Sequence, residues 1–331
     1  MKRFAILVGL ILIVLAAAAM FFVPAAYLRT PASDAQTVRV DVPENATADT
    51  VASLLVQKKV IGSTLGYRIY TLIDPAAGHP KAGPYDLKPG MNYRRIARTL
   101  ALGPAREEIT VRVIEGWTTR DIQKALQALG VDVRPSDFLA ERFADDYPFL
   151  KGLSKDATLE GYLFPDTYRV YKDQLPDALF RKQLDAFALQ TSGFEGVATS
   201  SGRTLRDVVT LASILEKEVV NDADRPTVAG IFTHRLEEGM RLQSDAVLMY
   251  VLQPGSKIAD EVRTNESPYN TYLYKGLPPG PISNPGKASL DAALHPAKTD
   301  YLYFLTDDSG KTYFAKTLEE HVANQHKAFG P

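Results

Sequence analysis

The sequence predicts an α+β chain with an N-terminal transmembrane helix, a small α+β module and a larger α+β domain built on a helical core. Three observations carry this expectation. An uncharged run extends from Phe4 to Leu28, between Lys2-Arg3 and Arg29. Short period-two and period-3.6 patterns then alternate up to residue 114. Longer helical patterns follow between residues 175 and 239, behind an aromatic, proline-containing loop. The expected divisions are 1–30 for the anchor, 31–114 for a linker and the small module, and 115–331 for the larger domain. A chain of 331 residues has room for two domains. Its 38 basic and 39 acidic residues leave no basic surplus of the kind nucleic-acid binding requires. The absence of cysteine excludes disulfide frameworks, thiol catalysis and zinc–thiolate sites.

The N-terminal run fits two readings. Spanning a bilayer takes about 20 apolar residues, and Phe4 to Val23 supplies them before Pro24. A cleaved signal peptide is the alternative, with Ala16 to Ala19 as small residues near a cut site. The run is longer than a usual signal core, which favours an uncleaved single-pass anchor in the inner (cytoplasmic) membrane. Lys2 and Arg3 then hold the N-terminus in the cytoplasm and leave the bulk of the chain outside it.

The elements follow in order. Residues 30–37 read as a linker, and Val38, Val40 and Val42 alternate with Arg39 and Asp41 as a half-buried strand. Val51, Leu54, Leu55 and Lys58 have helical spacing; Tyr93 to Leu100 is a second helix after the turn Lys88-Pro89-Gly90. Ile109, Val111 and Val113 form a strand assigned to this module. Thr118 or Thr119 caps a helix through Leu129. The stretch Leu159 to Tyr168 reads as a loop or edge strand because of Pro165. Helices are expected over Leu175–Leu189, over Leu205 to about Val220 with a Thr204/Asp207 capping pair, and from Pro226 to just before Gly239. A Pro/Gly-rich loop covers Gly276 to Gly286. Asp307-Asp308-Ser309-Gly310 joins two strands in a hairpin.

Several chemistries lack their usual signal. The five histidines show no i, i+4 pair, and there is neither a phosphate-binding Gly-rich loop nor a Gly-x-Ser-x-Gly elbow. The informative segment is Leu205 to Val219. At about 100° per residue, Leu205, Val208, Ala212, Leu215 and Val219 form an apolar stripe, which Val209, Leu211 and Ile214 widen. Arg206, Thr210, Ser213 and Lys217 fall on the remaining, wet face. Glu216 and Glu218 lie at the borders of the apolar arc, where a carboxylate must be paired, hydrogen-bonded or protonated. Buried ion pairing with Arg225, Arg235 or Arg241 accounts for either of them without chemistry. For Glu218, the neighbouring Leu211 and Ile214 favour a pKa raised into the general-acid range. Both readings stay open for Glu216, the possible second carboxylate. Positions two apart point about 160° from each other, so the pair cannot flank one scissile bond as two glycosidase carboxylates do.

This helix belongs to an ordered set of blocks. Leu211-Ala-Ser-Ile-Leu-Glu-Lys-Glu218, Val228-Ala-Gly-Ile-Phe232, Arg235-Leu236, Gly239-Met-Arg-Leu-Gln-Ser-Asp245, Tyr269-Asn-Thr-Tyr272, Gly276-Leu-Pro-Pro-Gly280, His295-Pro-Ala-Lys298 and Tyr301-Leu-Tyr-Phe304, with the earlier Leu159 to Tyr168, resemble the endolytic murein transglycosylase family, the YceG-like lytic transglycosylases. The resemblance runs through most of residues 80 to 325. It implies one membrane span, a LysM-like module and an extracytoplasmic catalytic domain that acts in cell-wall assembly. The family's catalytic glutamate corresponds to Glu218. His234 departs from the family pattern, which usually has Asn there.

The implied reaction is non-hydrolytic cleavage of the MurNAc–GlcNAc β-1,4 bond in peptidoglycan, leaving 1,6-anhydroMurNAc, with one Glu as acid and then base and no cofactor or metal. The implied partners are glycan strands, nascent ones included, and penicillin-binding synthases. Tyr269, Asn270 and Tyr272 supply ring faces and an amide suited to sugars, with ordinary loop packing as the alternative for each. Gln243 and Asp245 are further substrate-contact candidates, although Ser244 or Asp245 can instead cap a short helix over Ala246–Leu252. His295 reads as a scaffold hydrogen-bonder, and Trp117 as core or domain-interface packing. Two other classes stay open: a non-catalytic wall-binding scaffold for synthases, and a hydrolytic muramidase whose second carboxylate comes from Glu160, Asp166 or Asp245.

Overall fold

The structure, a computed structural model, describes residues 17–252, 258–262 and 264–330. Most of the apolar run from Phe4 therefore lies outside the described residues. Among those described, no helix is long and apolar enough to cross a membrane. The chain divides into two compact units, residues 1–107 and 108–331.

In the first unit, strand β1 (Val38–Val42) pairs antiparallel with β2 (Gly83–Leu87), setting Val40 opposite Tyr85. Helix α1 (Ala48–Gln57) starts at Thr47, whose hydroxyl accepts the Thr50 N–H; α2 (Thr64–Ile73) starts at Ser63 in the same way. Helix α3 (Tyr93–Leu102) is capped by Asn92, after a turn in which Gly90 takes a φ of 84°. The core gathers Val40, Leu55, Tyr67, Tyr70, Leu87, Ile96 and Leu100. Neither β2 nor α2 was expected. The proline in β2 hides the strand pattern, and in α2 apolar residues and Gly66 fill most of the surface, leaving only Thr64, Arg68 and Thr71 as a narrow polar side.

The second unit begins one element earlier than the sequence suggests. Strand β3 (Glu108–Arg112), expected to close the small module, pairs antiparallel with β4 (Thr167–Tyr171) instead. Its inward Val111 lies opposite Tyr168, a partner too distant in sequence for local pattern to identify. Helix α4 (Thr119–Ala128) has Thr118 as its cap in a complete capping box with Asp121. Helices α5 (Asp177–Gln190) and α6 (Phe194–Ser200) lead to α7 (Leu205–Glu218), which opens on the expected Thr204/Asp207 box. Then come α8 (Arg225–Glu237), α9 (Asp245–Val251), α10 (Lys287–Leu294), the hairpin β5 (Tyr303–Thr306) and β6 (Thr312–Ala315), and α11 (Leu318–Phe329). Gly239 follows α8 with a φ of 61°, the left-handed stop expected there. Trp117 is partly buried against this unit's core.

The face of α7 expected to be wet is wet only at its two ends. Arg206 and Lys217 are exposed, but Thr210 and Ser213 are buried. The 276–286 loop covers them: the Ile282 N–H donates to Ser213 Oγ at 3.0 Å, and the Ser283 hydroxyl donates to the Ser213 carbonyl at 3.1 Å. Ser213 also donates to the Thr210 carbonyl, so its hydroxyl both donates and accepts within the fold. Helix α8 is held as closely. The Ala297 N–H donates to the Pro226 carbonyl, and a Cβ added at Gly230 would lie 2.1 Å from the Ala297 carbonyl oxygen. Backbone, unlike a long side chain, cannot swing aside. Gly230→Ala is therefore expected to destabilise the protein by about 1–3 kcal/mol, read from the midpoint of urea unfolding; an unchanged midpoint would mean that the 295–298 segment is free to move.

Candidate active site

The two glutamates at the end of α7 part company, as their spacing requires. Glu216 forms an ion pair with Arg225 at 3.2 Å, and the two side chains are 7% and 8% exposed. It also accepts from the Gly286 N–H at 2.9 Å and from the Ser289 hydroxyl at 2.8 Å. Arg225 in turn donates to Ser289 and, at 2.8 Å, to Asp222. Both carboxylate and guanidinium are thus committed to holding α7, α8 and α10 together. Glu115 lies beside this pair. Burial first, and the Glu216 charge second, raise its pKa. Gly286 admits it, since a Cβ there would fall 1.9 Å from Glu115 Oε1.

Glu218 has different surroundings. The Ser244 hydroxyl donates to its Oε1 at 2.5 Å, and the Ala246 N–H donates to the same oxygen at 3.3 Å. Ser244 is the cap of α9, where its Oγ accepts the Val247 N–H. The carboxyl group therefore sits over the first turn of α9. Burial raises its pKa above the ordinary carboxylate value. The two hydrogen bonds and the Arg235 charge oppose that rise, while the Asp245 charge adds to it. No ion pair within 4 Å links Glu218 to a cation among the described residues. Arg235 is itself tied down, donating to the Leu302 and Leu242 carbonyls at 2.6 Å each.

The sequence-predicted residues divide around this centre. Asp245 is exposed and accepts from the Tyr272 hydroxyl, and both act electrostatically on or with Glu218. Gln243 is exposed, with a φ of 52°, and its N–H donates to the Thr271 carbonyl. Asn270 is fully buried. Its amide donates to the Val262 and Asn265 carbonyls and accepts from the Tyr272 N–H, so it shapes the loop rather than facing a ligand. Tyr269 belongs to a different opening of about 390 Å³, lined also by Glu160, Arg206, Tyr250 and Pro281. A larger one of about 1220 Å³, lined by Arg203, His234, His295 and Lys298 among others, does not include Glu218. His295 is exposed there, and the bonds of its segment run through the main chain, contrary to the scaffold role expected of its ring.

Sequence reasoning did not find the network behind Glu160. This buried carboxylate accepts from the Thr119 N–H and hydroxyl, from Tyr250 at 3.2 Å and from Asn284 at 3.2 Å. Burial nevertheless pushes its pKa up to about 7. Asn284 also accepts from the Gly161 and Leu163 N–H groups and donates to the Trp117 carbonyl. Of the three carboxylates considered as partners for Glu218, Asp245 alone is among the charges that perturb it; Asp166 is exposed and accepts the Thr167 N–H.

Residues 40–327 match the profile of the YceG-like family. The chain belongs to that family. It is 33% identical over 314 residues to an endolytic murein transglycosylase of Bacillus subtilis, covering 88% of this chain and 84% of the relative. Endolytic murein transglycosylases of two Streptococcus pneumoniae strains are 29% identical, and here the match covers 88% of this chain but 58% of the relative. A crystal structure of a yceG-like protein from Listeria monocytogenes superposes with a TM-score of 0.58 at 31% identity, covering 88% of this chain and 100% of that one.

Glu216 is one half of a buried ion pair. Removing one partner leaves the other charge uncompensated, so Arg225→Met is expected to cost about 3–5 kcal/mol, with Glu216→Gln in the same direction. Chemical unfolding reads both. A stability loss within about 0.5 kcal/mol, the level of an ordinary surface change, would remove this role.

Proposed function

We propose that the chain is a peptidoglycan lytic transglycosylase in which Glu218 acts as general acid and then as general base. The observation that carries the reading is the contrast between the two glutamates: Glu216 is consumed by Arg225, Gly286 and Ser289, whereas Glu218 is held by a hydroxyl and an amide at a raised pKa. The names of the relatives from Bacillus subtilis and Streptococcus pneumoniae support it. Protonated Glu218 donates to the glycosidic oxygen between MurNAc and GlcNAc as the C1–O bond breaks. The N-acetyl oxygen of the substrate stabilises the positive anomeric carbon. The Glu218 carboxylate then takes the proton of the MurNAc 6-hydroxyl, and O6 bonds to C1, closing the 1,6-anhydro ring. This intramolecular attack has the entropy advantage over water. Gln243, Asp245 and Tyr272 are the proposed substrate contacts nearest this centre, and Tyr269 lies further along the strand. On the same reading residues 4–28 anchor the chain in the membrane, the first unit serves as a LysM-like glycan module, and wall synthases are partners.

A second reading has one specific observation behind it. Asp245 acts on Glu218 and is exposed, so it can serve a hydrolytic muramidase as the second carboxylate. The products decide. Glu218→Gln is expected to fold and to lose cleavage by on the order of 10² to 10⁴ in rate. Wild-type digests are expected to carry 1,6-anhydroMurNAc by mass spectrometry, with no matching rise in borohydride-reducible MurNAc ends. Reducible ends equal in number to the cuts would establish hydrolysis instead, and no cleavage at all would leave a binding scaffold.

The two readings also differ in pH dependence. Glu218 must be protonated to begin the reaction, so activity falls as pH rises through its raised pKa. Asp245→Asn removes a charge that raises that pKa. In a transglycosylase the alkaline limb of the rate profile should move to lower pH with cleavage retained. In a hydrolase that depends on Asp245 the variant should be inactive at every pH.

A further inference from the structure

Helix α2 of the first unit carries more apolar surface than its core covers. At about 100° per residue, Gly66, Tyr67 and Tyr70 occupy the side packed inward, with both tyrosines 1% exposed. Leu65, Ile69, Leu72 and Ile73 fill an adjoining arc about 100° wide, and all are exposed, Leu72 by 84% and Leu65 by 64%. Only Thr64, Arg68 and Thr71 make a polar side. Four large apolar residues contiguous on one helix form a surface that a soluble domain ordinarily covers.

The same helix holds the end of the N-terminal apolar run. Residues 17–23 are helical and Pro24–Leu28 continue as a wider turn, from which Ala25 and Ala26 are buried in the first unit's core. Tyr27 packs edge-on against Tyr70 at 5.8 Å, and Phe22 lies 6.5 Å from Tyr93. The Asn92 amide donates to the Arg29 carbonyl at 3.0 Å. Met20, Phe21 and Leu28 remain exposed, and Arg94, Arg95 and Arg98 of α3 are exposed too. Whatever holds the run therefore holds this unit, with aromatic rings, apolar side chains and guanidinium groups on neighbouring segments. That mixture suits the boundary between acyl chains and anionic headgroups.

We propose that the arc of Leu65, Ile69, Leu72 and Ile73 rests on the outer surface of the bilayer that receives the N-terminal run. Helix α2 is then an interfacial element that fixes the first unit against the lipid, with the exposed Arg94, Arg95 and Arg98 of α3 available to anionic headgroups. This rests on the reading of residues 4–28 as an anchor, and the test separates the two.

The absence of cysteine allows one introduced thiol at a time to carry an environment-sensitive fluorophore. The full chain is reconstituted into vesicles of phosphatidylcholine and phosphatidylglycerol, with or without spin-labelled lipid. Labels are placed through Leu72→Cys and Leu65→Cys on the arc, Thr71→Cys on the polar side of α2, and Ile11→Cys in the run. Labels at 72 and 65 are expected to show blue-shifted emission quenched by the spin-labelled lipid, at the roughly 5–10 Å depth of an interfacial helix. The label at 71 should keep water-like emission, and the one at 11 should be quenched deeply. Water-like emission at 65 and 72 with quenching at 11 overturns the proposal and leaves the anchor standing. Quenching at 65 and 72 without quenching at 11 keeps the surface contact and removes the anchor. Water-like emission at all four positions removes both.

Discussion

Enclosing α7 along most of its length obliges each polar group it carries to find a partner inside the second unit, and the neighbouring segments are arranged around those partners. Ser213 receives Ile282 and Ser283, which brings the 276–286 loop down onto the helix. Glu216 receives Arg225, Gly286 and Ser289, which binds the starts of α8 and α10 to its last turn. Glu218 receives Ser244 and Ala246, which sets the start of α9 against its end. A buried polar atom left unpaired costs about 1–3 kcal/mol, so few other placements of these loops satisfy the helix.

The same constraint separates the fates of two carboxylates that are neighbours in sequence. Burial raises the free energy of any carboxylate anion, and what each meets in the interior decides the outcome. Glu216 meets a guanidinium that is itself buried, and the charge is matched in place. Glu218 meets neutral donors and, further off, the opposed charges of Arg235 and Asp245, so its proton is easier to keep. A group held this way can give up a proton to a ligand and take one back, because neither state is locked by an ion pair.

Around Asn284 a second set of bonds ties together segments distant in the chain. Its amide group reaches Trp117, Glu160, Gly161 and Leu163, and its own backbone pairs with Gly116 and Trp117. Glu160 extends the set through Thr119 to α4 and through Tyr250 to α9. The helix whose first turn holds Glu218 is therefore braced at its other end by the loop that precedes β4. This gives the aromatic stretch Leu159 to Tyr168 a structural part in the site without contact to Glu218.

Much was legible from local sequence. The Thr204/Asp207 box, the Pro226 and Gly239 boundaries of α8, the Asp307–Gly310 hairpin and the divergence of Glu216 from Glu218 all depend on residues within a few positions of one another, where helical period and turn chemistry act directly. Long-range partners were not legible. The pairing of β3 with β4, the burial of Thr210 and Ser213, the commitment of Asn270 to its own loop and the network around Glu160 depend on which distant segment arrives at a surface. Periodicity marks which face of a helix is apolar, but it cannot say whether the polar remainder meets water or another loop. That choice is made by hydrogen-bond satisfaction in the folded chain, and it gave Glu216 an arginine and Glu218 a serine.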